Sequence, residues 1–191
     1  AAADGNVQAA WELARLYIQG TVLPQNLEEA AVYLQLAARA GYADAQNELA
    51  RFYAQGLGGL PTHAGEALYW YLQAAAQGQE NAQNAAQDVQ LEDPQLYEAV
   101  SRFAGVLTRA EQGNSQAQLE AGQALHSGYP RARNDEESFE WLTRCWQEGD
   151  KLPQAAYELS QLYQNGEGTE KDEAKAMELL GVAAQAKNPD A

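Results

Sequence analysis

The stretch LARFYAQG, at residues 49–56, decides the fold of this chain. Almost the same eight residues occur earlier as LARLYIQG at 13–20, and a third version, LSQLYQNG, occurs at 159–166. Recurrence at a fixed period is the sequence signature of repeat architectures, in which each copy forms one supersecondary unit. The three stretches therefore predict an array of repeats.

Glycines set the period of the array. The glycines that open the five copies are Gly5, Gly41, Gly78, Gly113 and Gly149. Their spacings of 36, 37, 35 and 36 residues are typical of repeats built from helix pairs. The spacing predicts one domain over 1–191, with units at 5–40, 41–77, 78–112, 113–148 and 149–187.

The first helix of each unit, helix A, carries a stripe of residues spaced by four. In copy two this stripe is Ala45, Leu49 and Tyr53, which share one helical face, and Gly56 ends the helix in the left-handed conformation. We expect these positions to form the core of the repeat. The equivalent residues in copies one and five are Ala9, Leu13, Tyr17 and Gly20, and Leu159, Tyr163 and Gly166.

The second helix, helix B, opens near acidic residues, which the helix dipole favours at an N-terminus. Asn26 and Asn134 precede two of these helices and are expected to cap them. Copy three is degenerate: it lacks the leucine and tyrosine of helix A, and Pro94 predicts one helix before Asp93 and another from Gln95 to Glu111. The predicted fold class is all-α, an α-solenoid of stacked antiparallel helix pairs.

The charge of the chain limits its partners. Twelve Lys and Arg residues face 27 Asp and Glu residues, a formal net charge of −15. Nucleic acids and anionic membrane surfaces attract basic proteins, so neither is an expected partner, whereas a basic protein or peptide is allowed. No run of residues approaches the roughly 18 apolar residues of a membrane span, so no direct membrane insertion is expected. The acidity is equally explained by solubility alone.

The full pattern resembles the Sel-one-like repeat (SLR) family, a relative of the tetratricopeptide repeat. Copy two shows it best, as GYADAQNELARFYAQG at 41–56 followed by ALYWYLQAAAQG at 67–78. Copies one and five match well, copy four less well and copy three poorly. The resemblance implies a non-enzymatic α-solenoid that acts as an adaptor or scaffold for protein partners. In bacteria many members serve in the cell envelope, but the compartment of this chain stays open.

Both ends of the chain fit the same register. Ala1 and Ala2 correspond to Ala37 and Ala38, so the start reads as the tail of an earlier unit, and the NPDA sequence at 188–191 is compatible with the beginning of another copy. The register therefore predicts a segment of a longer array.

The search for catalytic or metal-binding residues finds no candidate. His63 and His126 have no ligand-spaced Cys, His or Asp beside them, so no metal site and no cofactor are predicted. Cys145 fills the position of Ala37 in copy one and is expected to be a buried small residue. No catalytic residue and no enzymatic activity are predicted.

One recurrence is not explained by packing. Glu12, Glu48 and Glu120 lie seven residues after their opening glycines, and Glu158 precedes the leucine of copy five. Helix A lines the concave surface in stacked helix pairs, so we expect these glutamates to face a groove that accepts a basic or amide-rich peptide. A solvated helix face is the alternative. The candidate partner-binding residues are Gln8, Glu12, Arg15, Tyr42, Asp44, Glu48, Arg51, Gln116, Glu120, Gln154 and Glu158.

Two further functions stay open at this point. An inhibitor, such as an immunity-type protein that caps a partner enzyme, would use the same helix surface as a scaffold. A carbohydrate- or peptidoglycan-binding envelope module is a different class, motivated by Trp70, Trp141 and Trp146 on helix B.

Overall fold

The protein is described by a computed structural model that covers residues 2–187, with side-chain environments from residue 6 to residue 186. This part of the chain holds ten helices and no strand, which confirms the all-α class. The helices are α1 (Ala2–Gln19), α2 (Leu27–Arg39), α3 (Ala43–Gln55), α4 (Ala64–Ala76), α5 (Glu80–Glu92), α6 (Pro94–Glu111), α7 (Ser115–Ser127), α8 (Asp135–Gln147), α9 (Pro153–Asn165) and α10 (Glu173–Lys187).

The chain divides into two compact units, Ala1–Ser101 and Arg102–Ala191, and the division falls within α6. In unit 1, α1 to α5 pack in chain order, each helix against the next. In unit 2, α7 to α10 pack in the same way, and α7 also contacts α9. The short connections make neighbouring helices antiparallel, so stacked helix pairs are confirmed as the architecture.

Local sequence signals fix the helix ends where the register places them. Gly56 ends α3 and Gly166 ends α9, both with left-handed backbone (φ 66° and 74°), a conformation that glycine adopts without a steric penalty. Asn26 caps α2 by accepting hydrogen bonds from the backbone of Glu28 and Glu29, and Asn134 caps α8. The two predicted asparagine caps are therefore confirmed.

The core of each unit is built from equivalent positions of helix A. Leu49 and Phe52 of α3 are fully buried in unit 1, and Leu159 and Leu162 of α9 are buried in unit 2. Complete burial of a leucine or phenylalanine side chain stabilises a fold by about 1.5–3 kcal/mol. These side chains hold α3 against α2 and α4, and α9 against α8 and α10.

Two predicted core residues differ from the expectation. Ala9 is exposed and Leu13 is only partly buried, whereas their equivalents Ala45 and Leu49 have no exposed surface. Helix α3 packs against both α2 and α4, whereas the main neighbour of α1 within residues 2–187 is α2 alone. In α1 the buried positions are instead Ala10 and Ala14.

The third copy has the predicted helix break. Helix α5 ends at Glu92, α6 begins at Pro94, and the Asp93 side chain accepts a hydrogen bond from the backbone N–H of Leu96. Only Ala82 and Ala86 of α5 are buried, which is consistent with the loss of the repeat pattern there.

The loops between helix A and helix B use a second glycine for close packing. In unit 1, Gly58 lies so near α2 that an added Cβ would be 2.3 Å from the carbonyl oxygen of Leu27. In unit 2, a Cβ on Gly168 would be 2.0 Å from the carbonyl oxygen of Asp135 on α8. Both loops therefore sit directly over the start of the preceding helix B.

Two predictions concern residues outside the described part of the chain: Ala1 as the tail of an earlier unit, and 188–191 as the beginning of another.

Candidate functional site

The helix-A face of unit 1 carries two ion pairs that the helix spacing creates. Residues three apart share one side of a helix, and Arg15 Nη1 donates to Glu12 at 2.9 Å while Arg51 Nη2 donates to Glu48 at 2.8 Å. The side chains are roughly a quarter to a half exposed, so each pair adds only about 0.2–0.5 kcal/mol to stability. Their stabilising role is small, which leaves them available for other contacts.

A cleft of about 290 Å³ lies between α1 and α3 and brings these pairs together. Its walls are charged and aromatic: the Arg15 guanidinium lies 6.0 Å from the Trp11 ring centroid, and Glu48 and Arg51 form the opposite wall. The lining residues are Trp11, Arg15, Ile18, Gln19, Glu48 and Arg51.

Several polar groups of this cleft make no hydrogen bond to any described residue. Arg51 donates twice to Glu48 Oε2 and once to Gln55, which leaves Glu48 Oε1 without a donor among the described residues. Arg15 donates only through Nη1, so its Nε and Nη2 groups are unused, as is the indole N–H of Trp11. The cleft therefore presents both donors and an acceptor to a ligand.

Tyr71 of α4 lies close to the same ion pair from the helix-B side. Burial raises the pKa of its phenol above the usual value; nearby Arg51 acts in the opposite direction, and Glu48 adds to the rise. Tyr71 therefore stays a neutral side chain near this ion pair.

Three predicted residues of unit 1 take other places. Gln8 is exposed on α1. Tyr42 packs against Trp11, with ring centroids 5.8 Å apart, and is partly buried in the core. Asp44 accepts a hydrogen bond from Gln79, just before α5. Of the predicted face in unit 1, Arg15, Glu48 and Arg51 therefore line the cleft, and Glu12 is paired with Arg15.

The equivalent face of unit 2 is closed by hydrogen bonds within the protein. Glu158 of α9 accepts from Gln123 of α7 at 2.9 Å and from Gln154 at 2.9 Å. Gln116 and Glu120 are exposed on α7 and do not join this group. An amide of one helix A thus satisfies the glutamate of the next.

The remaining titratable groups of note have structural partners. His63 Nδ1 accepts from the backbone N–H of Glu66 and caps α4. His126 Nδ1 lies 3.1 Å from Asp135 Oδ1, and Arg133 forms ion pairs with both Asp135 and Glu167. Across the described part of the chain, no group of three or more His, Cys, Asp or Glu side chains is placed to hold a metal ion.

Cys145 is buried and donates to the backbone carbonyl of Ser115, at 3.3 Å. Burial raises the pKa of its thiol, which disfavours the reactive thiolate. The prediction of a buried small residue at this position is confirmed.

The tryptophans of helix B make contacts within the protein. Trp70 is buried, and its indole N–H donates to Glu66 at 2.8 Å. Arg144 lies 4.7 Å from the centroid of the Trp141 ring. Trp146 is partly buried against the core of unit 2.

Sequence reasoning missed Trp11, Ile18 and Gln19 as walls of the cleft. Their spacing held the signal, because Trp11 and Gln19 lie four residues before and after Arg15 and therefore share its side of α1. It also missed the bond between Gln123 and Glu158, although both residues lie on the predicted face.

Packed helix pairs of about 36 residues define a helical repeat protein. The chain belongs to the Sel1 repeat family: the family model matches residues 7–42, 43–79, 115–144 and 153–188, which is more than half of the chain. The predicted resemblance is therefore confirmed, and the degenerate third copy falls in the gap between the second and third matches.

Two solved structures are similar to this chain. One is the protective antigen c5321 of uropathogenic Escherichia coli, which displays an SLR fold, with 26% identity and a TM-score of 0.45. The other is a Sel1 repeat protein from Oxalobacter formigenes, with 22% identity and a TM-score of 0.44. The similarity covers 97% and 95% of this chain, which spans 39% of the first structure and 74% of the second. No curated protein gives a significant match.

Membership of this family has a general functional meaning. Sel1 repeat proteins generally mediate protein–protein interactions, and the family is typically a non-catalytic scaffold. Of the helices described, none has both the length and the apolar character needed to cross a membrane.

Proposed function

We propose that this protein is a non-enzymatic scaffold that binds a partner protein or peptide on its helix-A faces, and in unit 1 at the cleft between α1 and α3. One observation carries the proposal. Arg15, Glu48 and Arg51, all expected from the sequence to face a partner, line one cleft that keeps unused hydrogen-bond donors and an acceptor, and Glu12 is paired with Arg15.

The charge of the chain supports a role in choosing the partner. A formal net charge of −15 attracts basic proteins over a distance and repels acidic ones. Exposed charges contribute more to the rate of encounter and to selection than to affinity. A basic or neutral partner surface is therefore favoured, and the affinity has to come from close contacts such as those in the cleft.

Site-specific photo-cross-linking tests the proposal. A photoreactive amino acid is placed at Gln19, which lines the cleft, or at Val32, which is exposed on α2 away from it. We expect a defined adduct with a cellular protein from position 19 and not from position 32. No adduct at position 19, or the same adduct at both positions, would contradict binding at this face.

A further inference from the structure

We infer that the α1–α3 cleft of unit 1 recognises a neutral amide group, supplied by an Asn or Gln side chain of an extended peptide in the partner. The inference rests on the proposed function, since it names the chemistry of the ligand at the proposed site. Three observations lead to it: the charge balance of the walls, the set of unused groups, and the contact that occupies the equivalent place in unit 2.

The walls of the cleft are electrically balanced. Arg15 is paired with Glu12, and Arg51 is paired with Glu48. A carboxylate ligand in the cleft would meet Glu48, and an ammonium or guanidinium ligand would meet Arg15 and Arg51, so each would suffer repulsion close to its attraction. A neutral polar group avoids both penalties.

The unused groups match a carboxamide. An amide side chain has a carbonyl oxygen that accepts and an NH₂ that donates. The carbonyl oxygen suits the free N–H groups of Arg15 and Trp11, and the NH₂ suits Glu48 Oε1. Hydrogen bonds to charged partners are stronger than those between neutral groups, so one amide fits the site.

Unit 2 shows an amide in the equivalent place. Gln123 occupies the position of Arg15 in the repeat, Glu158 occupies that of Glu48, and the Gln123 amide donates to Glu158 at 2.9 Å. In unit 1 the arginine turns to Glu12 on its own helix instead, which leaves the glutamate of the next helix A with a free oxygen. A ligand amide would therefore complete in unit 1 the contact that unit 2 makes internally.

Selection from a phage-displayed library of random linear peptides tests the inference. The wild-type protein is the target, and the bound sequences are compared with the unselected library. We expect enrichment of Asn and Gln over Lys, Arg, Asp and Glu. Glu48→Ala should weaken the selected peptides about tenfold, as the loss of a charge-assisted hydrogen bond does. Glu98→Ala, at an exposed glutamate of α6, is the matched control and should bind normally.

A second variant distinguishes a cleft that is filled by the protein's own amide from a cleft that has only lost one contact. Arg15→Gln gives α1 the amide that α7 has at Gln123, so the new side chain should bond Glu48 and fill the cleft. We expect this variant to keep its melting temperature and to lose peptide binding more completely than Arg15→Ala, which leaves Glu48 Oε1 open.

Two results would overturn the inference. One is selection of basic or acidic peptides, or of no consensus at all. The other is peptide binding that survives Glu48→Ala and Arg15→Gln in proteins that melt normally. Cross-linking at Gln19 combined with basic selected peptides would leave the scaffold function standing and remove only the amide specificity.

Discussion

The helix-A faces of the two units have equivalent positions but different bonding. In unit 1, Arg15 and Arg51 pair with glutamates on their own helices, and a cleft stays open between the helices. In unit 2, glutamines replace the arginines, and Gln123 reaches across to Glu158 on the next helix A. The exchange of arginine for glutamine thus coincides with the difference in bonding between the two faces.

The comparison requires that the scaffold beneath the two faces be the same. Both units bury leucine at the helix-A position and both seat a glycine loop on the preceding helix B. The difference is then confined to a few surface side chains, so variants of the shared scaffold should act alike in both units and variants of the unshared contacts should not.

The largest effect is expected from the glycine loops. Gly58→Ala and Gly168→Ala each force a Cβ against a backbone carbonyl oxygen and strain a left-handed residue (φ 61° and 67°). We expect each to lower the free energy of unfolding by about 3 kcal/mol or more, measured by urea denaturation. Gly59→Ala is the control, because it has the same type of backbone (φ 74°) with no atom nearer than 4.0 Å, and should cost only about 1–2 kcal/mol. Equal costs at all three positions would remove the close-packing argument.

The next largest effect on the free energy of unfolding should distinguish fully buried leucines from a partly buried one. Leu49→Ala and Leu159→Ala should each cost about 2–5 kcal/mol, because a cavity is left in the core. Leu13→Ala should cost clearly less, since Leu13 is only partly buried. Urea denaturation of the three variants measures this order. A cost at Leu13 as large as at Leu49 would mean that the exposed face of α1 is covered in solution.

The repeat register was predictable because it depends on local rules. A leucine recurs on one stripe of helix A, a glycine ends that helix and an asparagine precedes helix B. Leu49, Gly56 and Asn134 lie where this pattern predicts them. The exposure of Ala9 was not predictable in this way, because burial depends on which helix is adjacent and not on the helix's own sequence.

The candidate site was predictable in position but not in bonding. Counting from the glycines placed Arg15 and Glu48 on one face, yet the spacing does not reveal whether an arginine pairs along its helix or across to the next one. The choice depends on side-chain length and planarity: the Gln123 amide donates to Glu158 on α9, whereas the Arg15 guanidinium is held by Glu12. Such choices appear only once the helices are packed.

A smaller effect is expected at a buried glutamine whose side-chain hydrogen bonds differ between the two units. Gln46 donates to the Ala38 carbonyl at 3.1 Å and accepts from Gln77 at 2.8 Å. Its equivalent Gln118 donates to Ala110 at 3.2 Å, but its Oε1 atom is buried without a partner among the described residues. Gln46→Met should therefore cost about 1 kcal/mol more than Gln118→Met, because it breaks one more hydrogen bond. Equal costs in urea denaturation would indicate that a water satisfies Gln118.

The smallest expected effect is a pH dependence of stability that arises in unit 2. Burial acts to raise the pKa of Asp135, but hydrogen bonds from Arg133 and His126 prevail and hold it below its usual value. A carboxyl group with a lowered pKa in the folded state stabilises the protein above the unfolded pKa of about 3.9, and this contribution is lost as the pH falls through the folded value. In the second copy of unit 1 the positions equivalent to Arg133, Asp135 and His126 hold Thr62, Ala64 and Ala54, so that copy has no counterpart of this contribution.

Thermal melting of Arg133→Gln at several pH values measures this contribution. The variant should melt slightly below wild type at neutral pH, and the difference should shrink as the pH is lowered to about 3, where Asp135 becomes protonated in the unfolded chain. Arg109→Gln, at an exposed arginine of α6, is the matched change of charge and should show no such convergence if the effect comes from the carboxylates beside Arg133. A difference in melting temperature that stays constant with pH would mean that Arg133 stabilises unit 2 by packing alone. The loop network would then be no more sensitive to acid than the corresponding loop of unit 1.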